Sequence, residues 1–575
     1  LAQARAAAAR AGEETELVEQ VRYYAARVER DRGNLNAARA EMEAVLASVE
    51  SRRALIARES ARATLLQYRL GYYELYVDVL MRLDESEPGR GHAATAFQVA
   101  DRMRARTLLD LLAEAGVDAR RGVDEALLAR EQALVKALDR AAREQMRGTA
   151  SAAPAGEAEL ARLTEEYDVL RAEIRRQNPR YATLTEMPRL TVAQAQAQLD
   201  PDTVLLAYLL GAQRSYLWVV SPSGLDTYRL PPRAEIERAA LRLRALLAER
   251  PSPAAARDAE WGRAARELAA LVLAPAAARL GARRLVVAAD GALHLVPFAV
   301  LVAPAAALAS PLVAAHEVVN VPSASVLVAL RQEAAARSRP EKEVAVLADP
   351  VFEAGDPRVR RRGHRPGDAP PAPATGPLRA VDRAIKAAGG PGPHIARLPF
   401  TRREAAAATE RVPAARALSA LDFDASRLRV TRGDLEAYRI VHFASHGLVN
   451  ADHPELSGIV LSLVDRQGQP QDGFLRLADV YGLRLRADLV VLSGCQTALG
   501  RQLRGEGLVG LTRGFMYAGA PRVLASLWKV DDRATAELMK RFYEALLGPR
   551  RLPPAAALRA AQESMWREPA WRDPF

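Results

Sequence analysis

Sulfur chemistry is nearly absent from this chain: Cys495 is the only cysteine among 575 residues. One thiol excludes a disulfide framework and a multi-cysteine zinc site. It fits a reducing compartment, so a cytoplasmic location is expected. Lysine is scarce as well; five of the 81 basic residues are lysine and the rest arginine. No run of about 18 uninterrupted apolar residues occurs, so no membrane span is expected. No signal peptide is visible, and the sequence begins at Leu1, which leaves room for a native segment before it. Aromatic residues make up 5% of the chain, and nowhere do they interleave with basic residues in the pattern that stacks nucleobases. The arginines alternate with Glu and Asp along helical stretches. The net charge of +11 therefore reads as a bias toward arginine, and direct nucleic-acid binding is not expected.

What is present suffices for several folded domains. Hydrophobic residues are 49% of the chain, and single cores stop growing near roughly 250–300 residues. Residues 1–116 carry Ala, Leu and Arg at helical spacing. Within them "RGNLNAARAEMEAVLA" sets Gly33, Ala38, Met42 and Val45 as a glycine turn followed by a helix packing small and large residues alternately. That pattern matches the second half of a tetratricopeptide repeat. "HAATAFQVADRMRARTLLDLLAEAG" (92–116) is a second, degenerate unit. Stacked units would form a concave surface for partners, a plain helical bundle being the alternative. Residues 117–184 form a helical hairpin connector, its seam marked by Leu160, Leu163, Tyr167, Leu170 and Ile174.

Near residue 190 the period changes from helical to strand-like. "TVLLAYLLG", "SYLWVVSP" and "GLDTYRLP" read as strands, and "RRLVVAAD" and "EVAVLADP" as short runs buried in a parallel sheet. We assign 185–353 to one α/β half. Residues 354–394 are rich in Pro, Gly and Arg and read as a flexible, disordered linker. Residues 395–575 form a second α/β half, with strands near 438–445, 489–493 and 521–527.

Two of those strands end in chemistry. "YRIVHFASHG" ends in His446 and Gly447, and "DLVVLSGC" in Gly494 and Cys495. Sites in open α/β sheets form at the carboxyl ends of strands. If these strands are parallel neighbours, His446 and Cys495 face one crevice. A thiol with pKa near 8.5 is mostly protonated at neutral pH, and an imidazole beside it can take the proton or stabilise the thiolate. Acyl transfer also needs donors for the oxyanion, and the backbone N–H groups of Gly447 and Cys495 are the candidates. Such a dyad needs no metal or cofactor.

The histidine precedes the cysteine by 49 residues, close to the spacing of caspase-type proteases. Together "DGALHLVPFAVL", "VHFASHG", "LVVLSGCQT" and "GEGLVGLTRGFMYAGAPRVLASLW" resemble the CHAT domain, a caspase- and separase-like cysteine peptidase domain often preceded by tetratricopeptide repeats. The resemblance covers roughly 185–572. It implies an α/β caspase-like domain with a degenerate, pseudo-caspase half and a catalytic half, His446 as general base and Cys495 as nucleophile. It does not require a third, orienting residue. The glutamine that serves aspartate specificity in caspases is replaced by Ser493. In separases an acidic residue four past a tryptophan selects arginine; here Trp528 is followed by Asp531 and Asp532, with Asp532 at the matching position. The resemblance thus implies cleavage after Arg or Lys. The alternative for both aspartates is an N-terminal cap on the next helix.

Other signals are weaker. "GEGLVG" (505–510) fits a dinucleotide fingerprint but lacks the strand immediately before it. On a strand His442 and His446 would lie about 13 Å apart, too far to share an ion, so His442 reads as a buried structural residue. His453 is an alternative base. His294 occupies the equivalent strand end of the first half without a cysteine. The arginine run at 357–365 is a candidate for self-cleavage, the flexible linker being its alternative. Family members continue past Phe575 with a short strand, so a final strand is expected to be missing. The expected partners are a protein substrate and a regulatory protein or complex bound by the helices. The rival functions are a non-catalytic caspase-like scaffold and a hydrolase acting on a non-peptide ester.

Overall fold

A computed structural model describes residues 16–55, 59–104, 190–248, 254–302, 310–360, 395–450, 457–495, 497–503 and 507–571, with scattered helical positions between 108 and 173. The chain opens with helices α1 (Glu16–Asp31), α2 (Leu35–Leu55), α3 (Glu59–Ser86) and α4 (His92–Arg102). Gly33 turns between α1 and α2 with φ of 86°, a left-handed conformation open to glycine. Ala38, Met42 and Val45 are fully buried behind it, as the repeat pattern requires. Of the expected hairpin seam, Leu163, Tyr167 and Leu170 pack with Leu134; Leu160 and Ile174 lie outside the described residues.

Two five-stranded sheets follow. The first contains β1 (Thr203–Leu209), β2 (Ser215–Ser221), β3 (Gly224–Leu230), β4 (Arg284–Ala288) and β5 (Val318–Val321) in the order β3-β2-β1-β4-β5. β1, β4 and β5 run parallel, and β2 and β3 are antiparallel. β1 is apolar along its length because both of its faces are covered. Val204, Leu206 and Tyr208 pack with α5 (Arg233–Ala248) and α6 (Ala254–Val272). Leu205, Ala207 and Leu209 pack with α2, α3 and α4. The N-terminal helices are therefore one layer of this domain. Trp218 is fully buried at that contact, its indole N–H donating to the Ala93 carbonyl at 3.2 Å. The Tyr216 hydroxyl reaches Asp78 at 2.7 Å.

After α7 (Ala324–Ala336), the second sheet has the order β15-β12-β8-β6-β7, all parallel. Its strands are β6 (Lys342–Ala348), β7 (Ala417–Leu421), β8 (Tyr438–Ala444), β12 (Leu489–Leu492) and β15 (Val523–Ala525). α9 (Leu511–Tyr517) covers one face through Leu511 and Phe515. The other face is covered by α8 (Thr401–Thr409), α10 (Asp532–Leu547) and α11 (Pro554–Arg567). Between β8 and β12 the chain forms a three-stranded sheet of β9 (Gly447–Leu448), β10 (Gly458–Val460) and β11 (Phe474–Arg476). β13 (Gly500–Leu503) and β14 (Gly507–Gly510) pair as a hairpin. No helix among the described residues is long and apolar enough to cross a membrane.

Two expected boundaries differ from this arrangement. β6, grouped by sequence with the first half, pairs with β7 and β8 in the second sheet. Its residues 344–348 are completely buried, as a central strand demands, and a buried run does not declare which sheet it joins. The linker expected over 354–394 is ordered at its start. Arg358 is held there by Asp356 and Asp422 at 2.7 Å and by Asp349 at 3.1 Å, enough acceptors to fix a polar turn. Residues 361–394, with most of the proposed self-cleavage run, lie outside the described residues.

Candidate active site

β8 and β12 are parallel neighbours, with Phe443 opposite Leu492 in register. Both chains leave the sheet at the same edge, His446 two residues past β8 and Cys495 three past β12. The glycines make the approach possible. A Cβ on Gly494 would fall 2.2 Å from the Ser445 carbonyl oxygen and 2.9 Å from the Gly447 nitrogen. A Cβ on Gly447 would fall 2.6 Å from the Thr497 methyl and 3.0 Å from the Cys495 carbonyl oxygen. The two catalytic candidates therefore sit on backbone segments in direct contact. Thr497 closes the turn by donating to the Leu492 carbonyl at 2.9 Å.

Register also bears on the oxyanion candidates. Gly447 faces Ile459 across the β9–β10 pair, while the Val460 N–H donates to the His446 carbonyl at 2.9 Å. Gly447 thus occupies a non-hydrogen-bonded ladder position, and its N–H is not used by the ladder.

His446 is half-buried, with the Phe352 ring 5.5 Å away. Its Nε2 lies 2.7 Å from the Ala396 carbonyl oxygen. A carbonyl can only accept, so Nε2 carries the proton and Nδ1 carries the lone pair. Burial pushes the His446 pKa below its usual value, and the Ala396 carbonyl opposes that shift. Depressed basicity keeps the imidazole neutral at physiological pH, the form able to accept a proton. The orienting group is a main-chain carbonyl, which no residue type announces. Cys495 is partly exposed, with Sγ 3.8 Å from the Val530 carbonyl oxygen. Ser526, on the same loop as Val530, donates from its hydroxyl to the Gly494 carbonyl.

The two aspartates that follow that loop have different partners. Asp531 is the N-cap of α10, its carboxylate accepting from the Ala534 N–H at 2.8 Å. Asp531 thus fills the capping role that the sequence offered as its alternative. Asp532 instead turns to the Phe400 N–H at 3.1 Å. Burial raises its pKa to about 6, against the Phe400 bond and with help from Glu404, Asp531 and Asp349. Trp528 is partly buried against the core of the first half, so it joins the two halves beside the crevice. Ser493 is 3.0 Å from Nε2 of His442. His442 is fully buried, with Tyr543 at 3.1 Å on Nδ1 and the Glu404 carboxylate 3.3 Å from Nε2. Glu404 and Phe400 had no signal in the sequence; both come from the segment that returns from the linker.

The first half meets this region through His294. A Cβ on Gly507, whose φ is 79°, would fall 3.1 Å from the His294 ring. Burial lowers the His294 pKa to about 4; Asp290 opposes the shift, and Arg104 and Arg513 add to it. His453 and Gly505 lie outside the described residues. Among the described residues, no three His, Cys, Asp or Glu side chains converge to hold a metal ion.

Known proteins resemble parts of this chain. Tetratricopeptide repeat protein 28 of Mus musculus is 48% identical over 73 residues, 13% of this chain. The Homo sapiens protein of the same name is 32% identical over 139 residues, 24% of this chain. The matched segments span 3% and 5% of those relatives' own lengths. The Saccharomyces cerevisiae separase–securin complex, solved at 2.6 Å resolution, aligns over 92% of this chain and 37% of its own with a TM-score of 0.45 and 10% identity. A second structure of that complex gives 0.41 and 8% over 95% of this chain and 46% of its own. The family model of the CHAT domain matches residues 262–575, more than half of the chain, and the protein belongs to the CHAT domain family.

Proposed function

We propose that the protein is a cysteine endopeptidase that uses a Cys495–His446 dyad and cleaves a protein substrate after arginine or lysine. The observation that carries this reading is the contact between the backbone segments of Gly447 and Gly494–Cys495, with His446 held as the Nε2–H tautomer by the Ala396 carbonyl. Nδ1 takes the thiol proton, and the thiolate attacks the scissile carbonyl carbon. The N–H groups of Gly447 and Cys495 donate to the oxyanion. The imidazolium returns its proton to the leaving amine as the carbon–nitrogen bond breaks. Water, deprotonated by His446, then hydrolyses the thioester. The half-buried Asp532 carboxylate receives the cationic P1 side chain, arginine best because it pairs through two bonds. Ser493 lines the same pocket. The reaction requires no cofactor. The helical layer recruits the substrate or a regulatory protein, and a single thiol suits a cytoplasmic setting.

One observation favours the rival reading, a non-catalytic scaffold: the thiol faces the Val530 carbonyl. Wild type and Cys495→Ala compared on a peptide panel varied at P1 decide between them. Cleavage of Arg and Lys peptides by wild type alone supports the peptidase. Equal behaviour of the two proteins supports the scaffold, and preference for aspartate or a large apolar P1 residue refutes the assigned specificity.

A further inference from the structure

Behind His446 lies a cluster of arginines and carboxylates that the chemistry above does not use. Asp349 follows the last residue of β6, is fully buried, and has φ of 46°. Side chains other than glycine rarely adopt that conformation, and when they do it often marks a functional site. Its carboxylate accepts from Arg397 Nε at 2.8 Å and Arg397 Nη2 at 2.7 Å. It also accepts from Arg402 Nε at 2.6 Å, and Arg358 Nη1 lies 3.1 Å away. Asp356 and Asp422 share Arg358, and Asp422 also takes Arg402. Three carboxylates thus face three guanidinium groups, so the cluster is electrically balanced.

The cluster reaches the site through the backbone. The Ala396 carbonyl and the Arg397 N–H belong to one rigid peptide plane. On one side of that plane Ile395 packs with Phe352 and Leu448. On the other, two parallel bonds pin Arg397 to Asp349. Farther along, the Asp349 N–H donates to Thr401 Oγ1 at 3.0 Å, and that hydroxyl donates to the Leu398 carbonyl at 2.6 Å. We infer that Asp349, acting through Arg397, is a positioning residue: it sets the Ala396 carbonyl that holds His446 Nε2–H and leaves Nδ1 available to the thiol. The inference deepens the dyad reading and rests on it. Among the described residues no charged side chain perturbs His446; burial and the Ala396 carbonyl do. Burial lowers its proton affinity and the Ala396 carbonyl raises it, so displacing that carbonyl moves the titration.

Arg397→Ala and Arg397→Lys in the full chain test this. The Arg397 side chain is 40% exposed, so its loss is compatible with folding. The first readout needs no turnover: NMR of histidine-labelled protein, with His446 assigned by its loss in His446→Gln. In Arg397→Ala the His446 tautomer becomes mixed and its titration moves to lower pH, because the imidazolium has lost an acceptor. Arg397→Lys restores part of the shift. The second readout is kinetic. A general base contributes about 10²–10⁴-fold, and loss of its alignment lowers kcat about 10- to 100-fold with KM nearly unchanged. Unaltered His446 signals and titration in Arg397→Ala overturn the inference, even where the peptidase is active. If His446 shifts while wild type cleaves no peptide, the positioning role stands and the peptidase reading falls.

Discussion

Asp532→Asn separates stability from specificity at one atom pair. The folded carboxyl titrates at about 6 instead of 3.8, chiefly because it is partly buried. Below the lower value both folded and unfolded chains are protonated, and the group's contribution to stability is fully present. As pH rises between the two values the unfolded chain gives up its proton first, so protonation favours the fold at low pH and that contribution is lost through about 6. At about 1.36 kcal/mol per unit the ceiling is about 3 kcal/mol, and solvent screening of a half-exposed group reduces it to about 1 kcal/mol. Asparagine keeps an acceptor for the Phe400 N–H and removes the charge. Denaturant unfolding should therefore find Asp532→Asn about 1 kcal/mol more stable than wild type at pH 8 and nearly equal to it below pH 4. Specificity should move the opposite way. A charge-assisted bond is worth about 1.5–3 kcal/mol, so the kcat/KM ratio for arginine over its neutral isostere citrulline should fall about 10- to 150-fold. Taking the ratio cancels the dyad's own titration. In wild type the ratio should rise with pH through about 6 and then level; in the variant it should be flat. Lower stability of Asp532→Asn at pH 8, or an unchanged ratio, refutes the reasoning, because the carboxylate would then be structural.

Three further outcomes follow from the geometry. Cys495→Ala should abolish turnover while leaving the unfolding midpoint within about 2 °C, since only a small, partly exposed group is removed; circular dichroism and a peptide assay check both. Gly494→Ala should destabilise by roughly 1–3 kcal/mol and inactivate, because its new Cβ meets the backbone at Ser445 and Gly447; chemical denaturation measures it. Trp218→Ala should cost about 3–5 kcal/mol and, by hydrogen exchange, expose α4 ahead of the second sheet, which Trp218 does not touch.

Strand existence was legible because fully apolar runs such as 204–209 and 489–492 have few alternatives to a buried strand. Sheet membership was not. β6 carries the same apolar signal as β4, and only the pairing of Val344 with Ile440 distinguishes their destinations. The helices before residue 104 read as a separate platform because periodicity reports that a face is apolar, not what covers it. Here that face meets Trp218 and Leu205 of the first sheet, and the platform and the domain share one core.

The convergence of the His446 and Cys495 segments was legible for a local reason: each residue follows an apolar strand and is flanked by a glycine, and parallel pairing of the strands does the rest. That one of the two aspartates caps the helix was legible too; which of Asp531 and Asp532 does so was not, since either could cap a helix beginning one residue earlier or later. The start of α10 decides it. With Asp531 at the cap, helical geometry turns Asp532 away from the first-turn N–H groups and toward the returning segment at Phe400. The group that orients His446 was the hardest to foresee. Every residue carries a carbonyl, so only its direction matters, and direction here depends on Asp349 and Arg397 across a gap of 48 residues in sequence. A chain that fixes its base through the backbone is free to vary Ala396 itself, provided the charge pair behind it persists. Ala396→Ser should therefore be nearly silent in the peptide assay, while Arg397→Ala should not.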